Sequence, residues 1–173
     1  MAADRLVLFL AEDGVDGAGR RFDDVLAFDD AALERHHDFI QWLFPLPEPS
    51  AFNPGAPVLS AGDIAAFRDD PELRGRLLAA FRRMLGSYGF TLDGDEAAPS
   101  VAPANDFATR ARGWLTPGNH NMLRITRVLR CLTLLGLPAH ARAFLAALEG
   151  LYDGGRASAI GPVTLRYWRE AAA

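Results

Sequence analysis

A chain of 173 residues, 50% hydrophobic and 23% charged, is long enough to close one hydrophobic core, and a single domain over 1–173 is expected. All 18 basic residues are arginine, which excludes the lysine of a Walker-type phosphate loop and the Schiff-base lysine of pyridoxal chemistry. The net charge of −4 is uneven: residues 1–104 hold 9 Arg against 18 acidic side chains and residues 105–173 hold 9 against 4, implying either attraction between the halves or an anion-seeking surface in the last third.

Leu6, Phe9 and Leu10 share one face of a first helix, ended by the glycine-rich "DGVDGAG". The apolar stretch 6–11 is short and flanked by Asp4 and Glu12, unlike the basic start and longer apolar core of a signal peptide. No run approaches the length of a membrane span, which leaves association with a membrane surface open, and the lone Cys131 allows no internal disulfide. A cytoplasmic, reducing setting is expected.

A second short helix holds Phe22, Val25 and Leu26. Asp30 can cap a third, along which Leu33, His37, Ile40 and Phe44 recur at spacings of three and four until Pro45 stops it. Prolines at 45, 47, 49, 54 and 57 lack amide donors, so this stretch is expected as an ordered connector or a groove wall. "SAGD" at 60–63 has the form of a capping box with Asp in place of the usual Glu, and Asp70 before Pro71 pairs an N-cap with a first-turn proline. The helix from Pro71 carries the stripe Leu73, Leu77, Phe81, Leu85 and Tyr88. "DGDEAAPSVAP", at 93–103, is acidic, small and proline-bearing and reads as an exposed loop.

Past "GWLTPGNHN", the longest apolar pattern runs through Met122, Ile125, Val128, Leu129, Leu132 and Leu135 to Gly136. It restarts at Pro138 with Ala141, Phe144, Leu145, Leu148 and Leu151, a central antiparallel helical hairpin. "TLRYWREA" then docks Leu165 and Trp168. Neither a strand pattern nor an internal repeat stands out, so the expected class is all-α.

The residues that can carry chemistry are few. Adjacent His36 and His37 project about 100° apart on a helix and do not converge on a metal, so no metal site and no cofactor is expected. "LGSYG" has the outline of a nucleophile elbow, but Leu85 takes the first glycine position within a helical pattern, and Ser87 reads as a helix-end residue. Cys131 between Leu129 and Leu132 reads as a packed thiol. The denser constellation is "NHNMLRITR", 119–127. Thr116 and Pro117 can open a helix that sets Asn119, His120 and Asn121 in its first turn, where free amides and the helix dipole favour an anion, with Arg124 and Arg127 one and two turns on. A guanidinium there can fork onto a carboxylate or phosphate. Against this, Asn119 can simply cap, His120 can be a core histidine, and the arginines can pair with acids such as Asp38. The acidic balance and the lack of a dense basic run argue against nucleic acid.

Two blocks, "HDFIQWLFPLPEPSAFNPGAP" and "NHNMLRITRVLRCLTLLGL" with the 141–144 segment after it, make the chain resemble the conserved N-terminal domain of the opioid growth factor receptor family, over most of its length. The resemblance implies a compact helical domain and, for animal members, a nuclear-associated receptor for an enkephalin-type peptide that restrains growth. An arginine-only basic set suits a bacterial-type member. The expected function is a non-enzymatic binding module for a small peptide or anionic ligand, with Gln41, Trp42 and Asn53 forming a wall opposite Asn119, His120, Asn121, Arg124 and Arg127. Two alternatives stand beside it: a hydrolase or transferase using His120 as acid or base with Asn119 or Asn121 and Arg124 polarising the substrate, and a helical adaptor for another protein.

Overall fold

The computed structural model describes residues 5–11 and 14–173; Asp4, Glu12 and Asp13, which enter the reading of the first segment, lie outside the described residues. Eleven α-helices and one two-stranded sheet are present among the described residues. They gather into two compact units, Met1–Ala80 and Phe81–Ala173, and the division falls within a single long helix.

In the first unit, α1 (Arg5–Leu10) buries Leu6, Phe9 and Leu10, and α2 (Phe22–Leu26) buries Phe22 and Val25. The third helix expected from periodicity is two. Asp29, not Asp30, caps α3 (Asp30–Arg35) by accepting the Ala32 N–H at 2.7 Å, His36 is extended, and a new helix, α4 (Ile40–Leu43), follows. The new segment is packed all round: Phe39, Ile40, Trp42, Leu43 and Phe44 are all buried, as in a helix enclosed by its neighbours. His36 and His37 are left exposed in the break. Phe9 meets Phe22 edge-on at 5.9 Å and Trp42 at 5.4 Å, which ties α1, α2 and α4 together.

Ser60 and Asp63 form the capping box of α5 (Ala61–Asp69), and Asp70 caps α6 (Pro71–Tyr88) by accepting the Glu72 N–H at 2.8 Å. The α6 stripe from Leu73 to Tyr88 is buried at all five expected positions.

The second unit corrects the all-α expectation, for the molecule is mostly helical with a small antiparallel sheet. β1 (Phe90–Asp93) pairs with β2 (Ser100–Pro103), Phe90 opposite Pro103 and Asp93 opposite Ser100, so the expected loop at 93–103 is the turn and return strand of a hairpin. Four-residue strands offer too few alternations to register as a period. The edges of the hairpin are blunted: Arg82 Nη1 donates to the Leu92 carbonyl at 2.9 Å, and Pro103 has no N–H to offer. After the short α7 (Phe107–Ala111), α8 (Asn121–Leu134) and α9 (Pro138–Leu151) pack on each other, with α9 also against β2. Gly136, at φ 91°, turns the chain between them, and the Leu137 N–H reaches back to the Leu132 carbonyl at 2.9 Å. The chain kinks through residues 152–156, where Gly155 takes φ 101°, and leads through α10 (Ala157–Ile160) to α11 (Pro162–Ala171), whose Trp168 is fully buried and donates Nε1–H to the Met122 carbonyl of α8 at 3.1 Å.

Candidate functional site

The proline-rich stretch of the first unit is an ordered loop. Leu59 N–H donates to the Leu46 carbonyl at 3.0 Å and closes it at the base. Ser50 organises the far end: its Oγ accepts the Phe52 N–H at 3.3 Å and the Asn53 N–H at 3.2 Å, a local turn of the kind serine favours. Asn53 Nδ2 donates to the Asp38 carbonyl at 3.3 Å, and Gln41 Nε2 to Ser50 Oγ at 3.4 Å, which pins the loop to the segment before and within α4. The result is a Phe52 that is 81% exposed on a loop with little freedom.

Of the three residues expected here, Gln41 and Asn53 are pins and Trp42 is core. Trp42 is buried beneath the Arg5 guanidinium, which lies 5.1 Å over its ring. Gln41 is buried too, and among the described residues its Oε1 accepts no hydrogen bond. A buried amide oxygen without a donor is a group that a bound ligand could satisfy.

Asp38 also belongs to a cluster that sequence reasoning missed. Asp16 is buried in the turn after α1, where its Oδ1 accepts the Ala18 and Arg20 N–H groups, each at 2.9 Å, and its Oδ2 lies 2.6 Å from both Arg20 Nε and Nη2. Arg20 Nη2 reaches Asp38 at 3.0 Å. Burial pulls the Arg20 pKa down, but the hydrogen bonds and charges of Asp16 and Asp38 outweigh it and hold it above the ordinary value. The signal available in the sequence was an aspartate inside a glycine-rich turn, a residue that commonly bonds the amides following it.

In the second unit, α8 starts at Asn121 rather than near Pro117, because Thr116 to Asn119 make a turn of their own: Asn119 N–H donates to the Thr116 carbonyl at 3.2 Å. Asn119 Nδ2 donates to the Gly113 carbonyl and to Thr116 Oγ1, both at 3.2 Å, while its Oδ1 accepts the Asn121 N–H at 3.0 Å. The next amides are bonded as well. Met122 N–H donates to the Asn119 carbonyl at 3.0 Å, and Leu123 and Arg124 N–H to the His120 carbonyl at 3.2 and 3.3 Å. An anion at this helix end would have to displace bonds already made.

Asn121 and Arg124 are buried, and Arg124 Nη1 donates to Asn121 Oδ1 at 3.5 Å. Asn121 Nδ2 donates to Asn119 Oδ1 at 3.0 Å and lies 3.4 Å from Nε2 of the exposed His120. Four of the five residues expected here thus form one contiguous chain from Asn119 to Arg124; Arg127 is half-buried one turn before Cys131. Cys131 is a packed thiol whose pKa is driven far up by burial, against a weaker downward pull from Arg127. Ser87 donates to the Met84 carbonyl at 2.7 Å inside α6 and is not an elbow. Among the described residues, no group of three His, Cys, Asp or Glu is placed to hold a metal, and no helix is long and apolar enough to cross a membrane.

Comparison with known proteins places this geometry in a family. The model of the opioid growth factor receptor (OGFr) conserved region matches residues 21–152, which include both the pinned loop and the Asn119–Arg124 chain. The rat opioid growth factor receptor is 45% identical over 105 residues, 61% of this chain and 18% of that protein; the human one is 41% identical over 105 residues, 61% and 15%. The mouse opioid growth factor receptor-like protein 1 is 38% identical over 104 residues, 60% of this chain and 22% of that protein. The chain therefore spans less than a quarter of the curated relatives it matches, and no solved structure matches it. With the family model covering most of its length, the chain belongs to the opioid growth factor receptor conserved-region family.

Proposed function

We propose that this protein is a non-enzymatic binding module that takes a short peptide segment at the loop carrying Phe52. The observation behind it is that Phe52 is 81% exposed while the backbone on both of its sides is held by Ser50, Asn53 and Gln41. A large apolar side chain presented on a pre-ordered loop loses little entropy on binding and makes an efficient anchor. In this reading Gln41 and Asn53 are positioning residues, and Trp42 supports the loop from the core. The unpartnered Gln41 Oε1 supports a peptide in particular, since a main-chain N–H can donate to it if the loop shifts on binding.

The rat and human relatives carry the name of a receptor for opioid growth factor, and the resemblance associates animal members with an enkephalin-type peptide, so that class is the first to test. The buried Cys131 fits a reducing, cytoplasmic setting, and the arginine-only basic set fits a bacterial source; both belong to this proposal. Calorimetric titration with an enkephalin-type pentapeptide, a scrambled version and a phosphorylated peptide tests it. Phe52→Ala should keep the wild-type melt and lose about tenfold or more in affinity, and Gln41→Leu should weaken binding without unfolding the chain. Equal affinity for the native and scrambled peptides, or binding untouched in Phe52→Ala, would refute the reading.

A further inference from the structure

We infer that His140 is an acid-sensitive latch: the neutral ring seals the start of α9, the helix packed on β2, against Phe81, and a proton taken from solvent loosens that end of α9. His140 is 3% exposed, and its ring meets the Phe81 ring edge-on at 6.4 Å. Among the described residues, its Nδ1 is buried with no hydrogen-bond partner. A neutral imidazole can leave one nitrogen as an unused acceptor at modest cost. An imidazolium must carry an N–H on both nitrogens, and there the new donor would be buried with nothing to receive it.

Position in the helix acts in the same direction. His140 is the third residue of α9, where the positive end of the helix dipole opposes a cation. Two charges reach the ring among the described residues: Glu96, from the turn between β1 and β2, favours the protonated form, and Arg82, from α6, opposes it. Burial outweighs Glu96 and holds the His140 pKa below its ordinary value of 6.5. In the opened state the ring is in water and titrates at that ordinary value. The opened state therefore binds more protons below it, so the closed form keeps its full advantage above about pH 6.5 and loses it progressively as pH falls.

The inference concerns the fold of the second unit and is independent of the peptide reading. It is tested by amide hydrogen exchange on the whole chain at about pH 7.5 and about pH 5, corrected for intrinsic exchange, in wild type and in His140→Phe. The expected result is a fall of about tenfold in protection at the start of α9 and along β2 in wild type at the lower pH, with a flat response in His140→Phe. The same fall in both proteins, or none in wild type, would overturn the latch. Should His140→Phe fail to fold, the wild-type ring decides: its carbon-bound protons, followed by NMR, must titrate below the ordinary histidine value, and titration at or above it would overturn the inference.

Discussion

Arg124 shows how burial changes what a residue is for. Its spacing from Asn121 suggests a charge aimed at a ligand, but at 6% exposure and 3.5 Å from Asn121 Oδ1 the guanidinium is built into the protein. Arg124→Lys keeps the charge and loses the planar fork, and Arg124→Met loses both. Both should lower stability without any ligand present, Met by about 1.5–3 kcal/mol as a hydrogen bond to a charged group is removed, and Lys by less. Urea melts of the two variants check this; wild-type melts for both would return Arg124 to the ligand side. Asn119 was legible as a turn residue that binds a following amide, the Asn121 N–H, although His120 and not Asn119 stands at the cap position of α8. Ser50 was not, because its role depends on where the loop places Gln41.

Among the elements, three segments with local signals formed as read, whereas the Asp30 cap of α3 and the Thr116–Pro117 start of α8 did not. The Ser60 capping box, the Asp70 and Pro71 start of α6 and the Gly136 stop between α8 and α9 depend on bonds within a few residues, so neighbouring sequence suffices. Two glycines separate backbone need from tolerance. Gly136 sits at φ 91°, and Gly136→Ala should cost about 1–2 kcal/mol through left-handed strain. Gly75 lies inside α6 with nothing within 4 Å of an added Cβ, and Gly75→Ala should stabilise by about 0.5–1 kcal/mol. Thermal melts of the pair should move in opposite directions, and a shift of the same sign would refute the backbone account. The elements that were misread, the break between α3 and α4 and the β-hairpin, are short and owe their form to contacts distant in sequence.

Across the molecule, stability rests on buried apolar stripes on packed helices. Ile125, Leu129 and Leu132 of α8 and Phe144 and Leu148 of α9 are all fully buried, and the two helices pack together. Leu129→Ala removes three carbons from a filled site and should cost about 2–5 kcal/mol, the spread reflecting how far the neighbours can close the gap. Denaturant unfolding measures it, and an unchanged midpoint would refute the core assignment. Aromatic residues brace the same unit: Phe144 meets Phe81 and Phe90, each at 5.7 Å, and Trp114 Nε1 donates to the Tyr88 carbonyl at 3.0 Å. Both indole N–H groups of this unit, those of Trp114 and Trp168, donate to a backbone carbonyl, as burial requires.

By itself the sequence determined the helical character, the α6, α8 and α9 stripes, most caps and stops, and through two motif blocks the family. These follow from interactions that are local or periodic, and both are written in residue order. Only the tertiary structure decided that Trp42 faces the core while Phe52 faces solvent, that Arg124 is enclosed, and that the first turn of α8 keeps its amides for its own chain. Each of those outcomes is a competition for burial or for a hydrogen-bond partner. The winner is set by which distant segment arrives, and the residue's own spacing does not record it.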